Sequence, residues 1–256
     1  MRYKLLLLAL PVLLAAARPH TDPVVKSGPP AAKPAGNSSV FARFNLAPFW
    51  RMPANGQSDE AVHNGFFSAS FQRLELVFTS VQRDATSPNI YHVSGKDRRY
   101  GIVRKFAGTF TLDDIRPDAA AVLLSDEYKR QAYVATGKFM LRETARPGDE
   151  AYGTFRGRLA ADFSQLNNGR LRLNQQTANE KTMNGGFILD GTWKDAGTGA
   201  EVDILAKNGW AVTYQVLEDF DIGGRSPHIS RKYTRVGWSS YWANDEWWAE
   251  KTVARK

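Results

Sequence analysis

The chain has 256 residues, no cysteine, and 34 basic against 26 acidic side chains, a formal net charge of +8. The lack of Cys excludes disulfides, thiolate metal sites and a lipid anchor through a Cys after a leader. The modest charge excess, in a chain that begins like a secreted one, argues against nucleic acid as the partner.

Arg2 and Lys4 precede the apolar run Leu5 to Leu14, and Ala15-Ala16-Ala17 follows with small residues. That order is a secretory leader, residues 1–17, cut before Arg18, and the apolar run is too short for a transmembrane helix. Its removal leaves 32 basic and 26 acidic side chains, a net charge of +6. The expected location is therefore secreted or periplasmic, with no membrane span after cleavage. Residues 18–39 hold Pro19, Pro23, Pro29, Pro30 and Pro34 and almost no large apolar residue, so they read as a disordered spacer. Residues 40–256 are expected to form a single domain.

Gly-x-Phe-x-Leu occurs three times, from Gly108, Gly137 and Gly185, with a variant from Gly153. Strand side chains alternate with period 2, so Gly, Phe and Leu of each copy share one face. Alternating apolar residues predict strands at Phe67–Thr79, Ile90–Ser94, Ile102–Ile115, Ala132–Glu143, Tyr152–Phe163, Arg170–Gln175, Phe187–Lys194, Val202–Ala206 and Trp210–Val216, about nine in all. Interleaved charged residues suit antiparallel strands wet on one side. Five Asn-Gly pairs, at Asn55, Asn64, Asn168, Asn184 and Asn208, suggest hairpin reversals.

The expected fold is all-β: an antiparallel meander of about eight to ten strands closing into a calycin-like barrel, with a two-sheet sandwich as the alternative. One or two short helices are expected. Asp118–Arg130 has helical spacing on a crossover, and Ser239–Lys251 reads as a strand turning into a short helix. Strand glycines mark bends, and Gly108, Gly137 and Gly185 are each expected to sit under an aromatic ring from a neighbouring strand.

Four further phrases carry a resemblance: Tyr91-His92-Val93-Ser94-Gly95-Lys96, Phe106-Ala107-Gly108-Thr109-Phe110, Asn184-Gly185-Gly186-Phe187, and Lys232 to Trp238 with Tyr233, Val236 and Gly237. Through them the chain resembles uncharacterised secreted or lipoprotein-type β-rich families of Gram-negative bacteria. The resemblance implies a secreted all-β protein and transfers no catalytic residue. Gly191-Thr192-Trp193 also loosely resembles the Gly-x-Trp of lipocalins, although it falls late in the chain rather than in the first strand.

Motifs of chemistry are sparse. There is no Gly-x-Ser-x-Gly, no phosphate loop, and no His-x-x-x-His among His20, His63, His92 and His228, so no metal or other cofactor is expected. Asp113 with Asp114, and Asp190 with Glu201 and Asp203, are acidic residues at strand ends, where solvated turns are common. Glu218 to Gly224 opens like a calcium loop but lacks its closing carboxylate. Lys96, Arg98 and Arg99 are read as a basic hairpin tip that contacts anions on an envelope surface. Six of the seven Trp lie at or after Trp193, and Trp238, Tyr241, Trp242, Trp247 and Trp248 form a ligand-binding candidate. Adjacent Trp247 and Trp248 cannot both face one core, so at least one is expected to be exposed. These features predict a non-enzymatic binding or surface-associated protein for an apolar or saccharide ligand, held at the barrel mouth or the Trp-rich end. The alternatives are an enzyme acting on envelope glycans through a carboxylate pair, and a structural or inhibitory protein with a protein partner and no small ligand.

Overall fold

Nine strands in one antiparallel sheet build the domain: β1 (His63–Phe67), β2 (Gln72–Arg83), β3 (Ile90–Arg99), β4 (Ile102–Pro117), β5 (Gln131–Glu143), β6 (Gly153–Gln165), β7 (Leu171–Leu173), β8 (Phe187–Asp195) and β9 (Glu201–Lys207). The computed structural model describes residues 38–53, 61–118, 131–145, 151–208, 212–218, 228–243 and 245–249. The leader, nearly all of the spacer, the 118–130 helix beyond Asp118, Asn55-Gly56, Gly209, Trp210 and the 219–224 part of the calcium-like loop lie outside the described residues.

Strand order follows the chain except at β7, which pairs with the end of β6 alone. β9 bonds β1, β8 bonds both β6 and β9, and β5 bonds β6, so eight strands close a hydrogen-bonded circuit. That circuit makes the fold an eight-stranded barrel rather than a two-sheet sandwich. Bulges between Phe78 and Ser80 and between Leu112 and Asp114 shift the register and bend β2 and β4.

The repeated Gly-x-Phe-x-Leu phrase does mark the inner face. Phe110 and Leu112, Phe139 and Leu141, and Phe187 and Leu189 are all buried, with Phe155, Phe163 and Trp193 beside them. The glycines serve a different purpose from the expected one. A Cβ on Gly108 would collide with the Met140 carbonyl, and one on Gly137 with the Thr111 carbonyl, so these glycines admit a neighbouring backbone rather than a ring. The aromatic cover occurs instead at Gly95, beneath Phe106, and at Gly153, beneath Trp193. Gly185 precedes β8 and has φ +110°, a turn position.

Three boundaries differ from the sequence pattern. The expected strand Phe67–Thr79 is a hairpin, because Ser68 and Phe71 turn the chain at φ 73° and 57° without an Asn-Gly signal. Asn64-Gly65 lies inside β1, where Gly65 lets Ala206 of β9 approach, and the tight β3–β4 turn is Tyr100-Gly101, at φ 51° and 75°. The segment expected as a strand near Val216 is a 3₁₀ turn at Thr213–Gln215 followed by β10 (Leu217–Glu218), paired with β11 (His228–Ile229).

An N-terminal segment fills one end of the barrel. Helices α1 (Ser38–Arg43) and α2 (Ala47–Trp50) bury Phe41, Phe44, Leu46, Ala47 and Trp50. The Trp50 ring lies 5.1 Å from those of both Tyr91 and Phe110, and Phe44 lies 4.7 Å from Tyr133. Tyr91 Oη accepts the Leu46 N–H at 3.2 Å and donates to the Phe44 carbonyl at 3.3 Å. Arg83 Nη1 reaches the carbonyls of Phe41, Ala42 and Phe44. The Met52 N–H then donates to the Phe78 carbonyl at 3.0 Å, continuing the sheet beyond the start of β1. No helix among the described residues is long and apolar enough to cross a membrane.

Trp50→Ala removes the centre of this plug and is expected to destabilise the fold by about 3–5 kcal/mol. Urea unfolding followed by circular dichroism checks this; a loss under ~1 kcal/mol would show that the segment is not part of the core.

Candidate functional site

Two polar assemblies stand out against the aromatic core, one inside the barrel and one outside it. Strand alternation along β3 creates both. Asp97 and Arg99 are buried on the inner face while Lys96 and Arg98 are only partly covered on the outer one.

Inside, the Arg99 guanidinium sits 4.5 Å from the Trp193 ring centre and 4.6 Å from that of Phe67. It donates to Glu143 Oε1, and its Nε donates to Asp97 Oδ1 at 3.2 Å. Glu143 Oε2 accepts from Trp193 Nε1 at 2.8 Å and from the Gly153 N–H. Asp97 Oδ2 has no hydrogen-bond partner. Burial, and then the negative charge of Glu143, push the Asp97 carboxyl up to about 8 against the pull of Arg99. A carboxyl so raised keeps its proton at neutral pH, which lessens the cost of burying it beside Glu143. The pair is closed off from solvent, with Asp97 at 0% exposure.

Outside, the C-terminal residues form a strap across β1, β2 and β3. Helix α3 (Arg231–Thr234) is followed by a 3₁₀ turn at Trp238–Ser240 and then by turns, so the expected strand and the helix over Ser239–Lys251 do not form. Gly237, at φ 94°, sends Trp238 inward, and the Trp residues go to separate places instead of one face. Trp238 is fully buried against Phe66, and its Nε1 donates to the Phe71 carbonyl at 2.7 Å. Trp248 is buried against Ala61 and Val77, and its carbonyl accepts from Lys96 Nζ at 2.6 Å. Trp247 is half-buried beneath the Arg98 guanidinium, 5.0 Å from its ring centre. Trp242 is 52% exposed. Neither member of the adjacent pair is fully exposed, against expectation, because Trp248 packs on Ala61 and Val77 and Arg98 covers Trp247.

The basic stretch is divided in the same way. Lys96 and Arg98 hold the strap, Arg98 through Glu75 on β2 and Asp245 on the strap itself. Arg99 belongs to the barrel interior, because the hairpin tip falls one residue later, at Tyr100-Gly101.

A groove of about 1130 Å³ runs between the strap, the outer face of β1 and β2, the end of the N-terminal plug and the 173–184 loop. Tyr241, Trp242, Trp247 and Trp248 line it; Trp238 does not. Sequence reasoning missed its other walls: Arg51, His63, Asn64, Asn184, Lys207 and Asn208. His63 packs between Phe78 and Phe187, and burial pulls its imidazole down to about 4, so it is neutral at physiological pH. The loop wall is shaped by four successive left-handed residues, Met183, Asn184, Gly185 and Gly186, at φ 52°, 70°, 110° and 73°. Two anchors hold this unfavourable run. Asp162 accepts from Thr177 Oγ1 at 2.7 Å, Thr182 Oγ1 at 2.6 Å and Asn179 Nδ2 at 2.9 Å. Lys207 Nζ donates to the Thr182 carbonyl at 2.7 Å and to the Met183 carbonyl, while burial lowers its ammonium to about 8. Asn-Gly-Gly was the visible signal of this loop, but its link to Lys207 is a tertiary one.

Among the described residues no group of three or more His, Asp or Glu is placed to hold a metal ion. Comparison with known proteins returned no family model, no curated protein and no solved structure that matches the chain.

The Asp97 carboxyl gives a pH signature. Its folded-state value of about 8 lies above the ordinary 3.8, so its contribution to stability is complete below about pH 4 and declines as pH rises through about 8. Asp97→Asn keeps the shape and removes the titration. Urea midpoints of the wild type are expected to fall relative to those of Asp97→Asn between pH 5 and 8.5. Parallel pH profiles for the two proteins would contradict the raised Asp97 carboxyl.

Proposed function

We propose that the chain is a secreted, non-enzymatic binding protein that holds a saccharide in the outer groove. One observation carries this: four aromatic residues of the Trp-rich end line a single groove together with side-chain amides. Trp242 and Tyr241 meet edge to face, 4.7 Å apart, and the exposed indole offers a flat apolar surface to the C–H face of a sugar ring. Asn184, with the amide N–H donors of Asn64 and Gln175, supplies polar groups suited to hydroxyls, while Asn208 is bonded to Phe187 and Gln175.

Three further features support the proposal. Among the described residues the barrel interior is occupied by rings and by the N-terminal plug, which favours the outer groove for a ligand. The groove volume of about 1130 Å³ exceeds the ~300–1,000 Å³ range of small-molecule sites, which favours an oligosaccharide over a single ring. The carboxylates are engaged in structure: Asp97 and Glu143 lie inside the barrel, and both oxygens of Glu75 in the groove are held by Arg73 and Arg98. Secretion rests on Arg2, Lys4, the apolar run and the small residues that follow it.

Titration of a panel of oligosaccharides, followed by tryptophan fluorescence, tests the proposal. At least one should bind, and Trp242→Ala should weaken it about tenfold, the equivalent of ~1.4 kcal/mol. Met140→Ala, another exposed apolar residue away from the groove, should leave the affinity unchanged. Absence of any saccharide response, or an unaffected Trp242→Ala, would overturn it.

A further inference from the structure

The charges along the groove do not cancel, and the surplus identifies the ligand more closely. Glu75 accepts from Arg73 Nη2 at 3.0 Å and from Arg98 Nη2 at 2.7 Å, and Asp245 takes the remaining arm of Arg98. These two guanidinium groups and two carboxylates neutralise one another. Arg51 and Lys207 remain. Neither has a carboxylate within salt-bridge distance among the described residues. Arg51 is exposed, with its backbone N–H bonded to the Ala47 carbonyl at 3.1 Å, so the turn after α2 fixes where the side chain starts. Lys207 spends donors on two carbonyls, which hold the ammonium in place without neutralising its charge. Lys207 is buried, and the charge of Asp162 beneath the loop reaches it, so Arg51 is the exposed cation of the pair.

We infer that the groove selects an acidic saccharide, placing an anionic sugar substituent, carboxylate or sulfate, against Arg51 while a neighbouring ring stacks on Trp242. This inference rests on the saccharide proposal above and adds the charge of the ligand to it. A guanidinium matches the geometry of either anion through paired N–H donors. A neutral sugar would leave Arg51 without a counter-charge in a site partly screened from water, whereas an anionic one supplies it.

The test compares three oligosaccharides of equal length, one neutral, one uronate and one sulfated, binding to the full chain at low and at physiological salt. At least one anionic sugar should bind about tenfold or more tightly than the neutral one at low salt, and the advantage should shrink as salt screens the groove. The uronate and sulfate arms show which substituent fits. Arg51→Glu reverses a charge on an exposed side chain that makes no described contact, so its thermal midpoint should match the wild type. Its anionic-to-neutral affinity ratio should fall toward one. Equal binding of all three sugars by the wild type would overturn the acidic preference while keeping the saccharide proposal, as would a ratio unchanged by Arg51→Glu. Binding of none would overturn both.

Discussion

The interior of an eight-stranded barrel can be filled by side chains or hold one small ligand, and the rest of this structure depends on its being filled. Phe78, Phe110, Phe155, Phe163 and Phe187 point inward and are fully buried, and Trp50 enters from the N-terminal plug to complete the packing. Close-packed rings leave no cavity for a ligand of their own size. Glycines make the filling possible by letting strands approach where a ring needs room, as at the facing pair Gly157 and Gly191. A calycin-like outline is therefore put to a different use here. The inside is core, and the proposed recognition lies on the outer surface.

β3 joins the two. Its inner residues Asp97 and Arg99 build the buried ionic cluster, and its outer residues Lys96 and Arg98 hold the C-terminal strap that forms one wall of the groove. Desolvating an arginine and two carboxyls is costly unless every charge is met. Here Arg99 is met by Glu143, Asp97 and the rings of Phe67, Phe155 and Trp193, and the raised Asp97 carboxyl lessens the excess negative charge. A one-residue slip of β3 would exchange the two sets, burying Lys96 and Arg98 and exposing Arg99. The cluster and the strap thus specify the same register from opposite faces of one strand.

The sheet was legible because its signal is local. Period-2 alternation around Phe110, Phe139, Phe155 and Phe187 is written in adjacent residues, and it located the inner face of four strands. The hairpin at Ser68–Phe71 was hidden because its left-handed residues are Ser and Phe, which carry no turn signature. The Trp-rich end was recognisable by composition, yet its geometry was not. Whether Trp238 is core and Trp242 surface depends on Gly237 and on the ring of Phe66, nearly 170 positions away in sequence from the strap. Arg51, Lys207 and the 183–186 turn were invisible for the same reason, since they meet only after the barrel closes. The basic run at Lys96–Arg99 misled because charge alone does not distinguish a surface cation from one buried between aromatic rings.

The central claim is that ligands meet the strap and not the barrel interior, and the six tryptophans among the described residues are placed to report it. Fluorotryptophan labelling with ¹⁹F NMR, one resonance assigned per Trp→Phe variant, reads each position separately during titration with a bound oligosaccharide. The account predicts shifts at Trp242 and Trp247, which line the groove, with Trp193 and Trp238 unmoved in the packed interior and beneath the strap. Shifts centred on Trp193, with Trp242 and Trp247 silent, would place the ligand inside the barrel and contradict it.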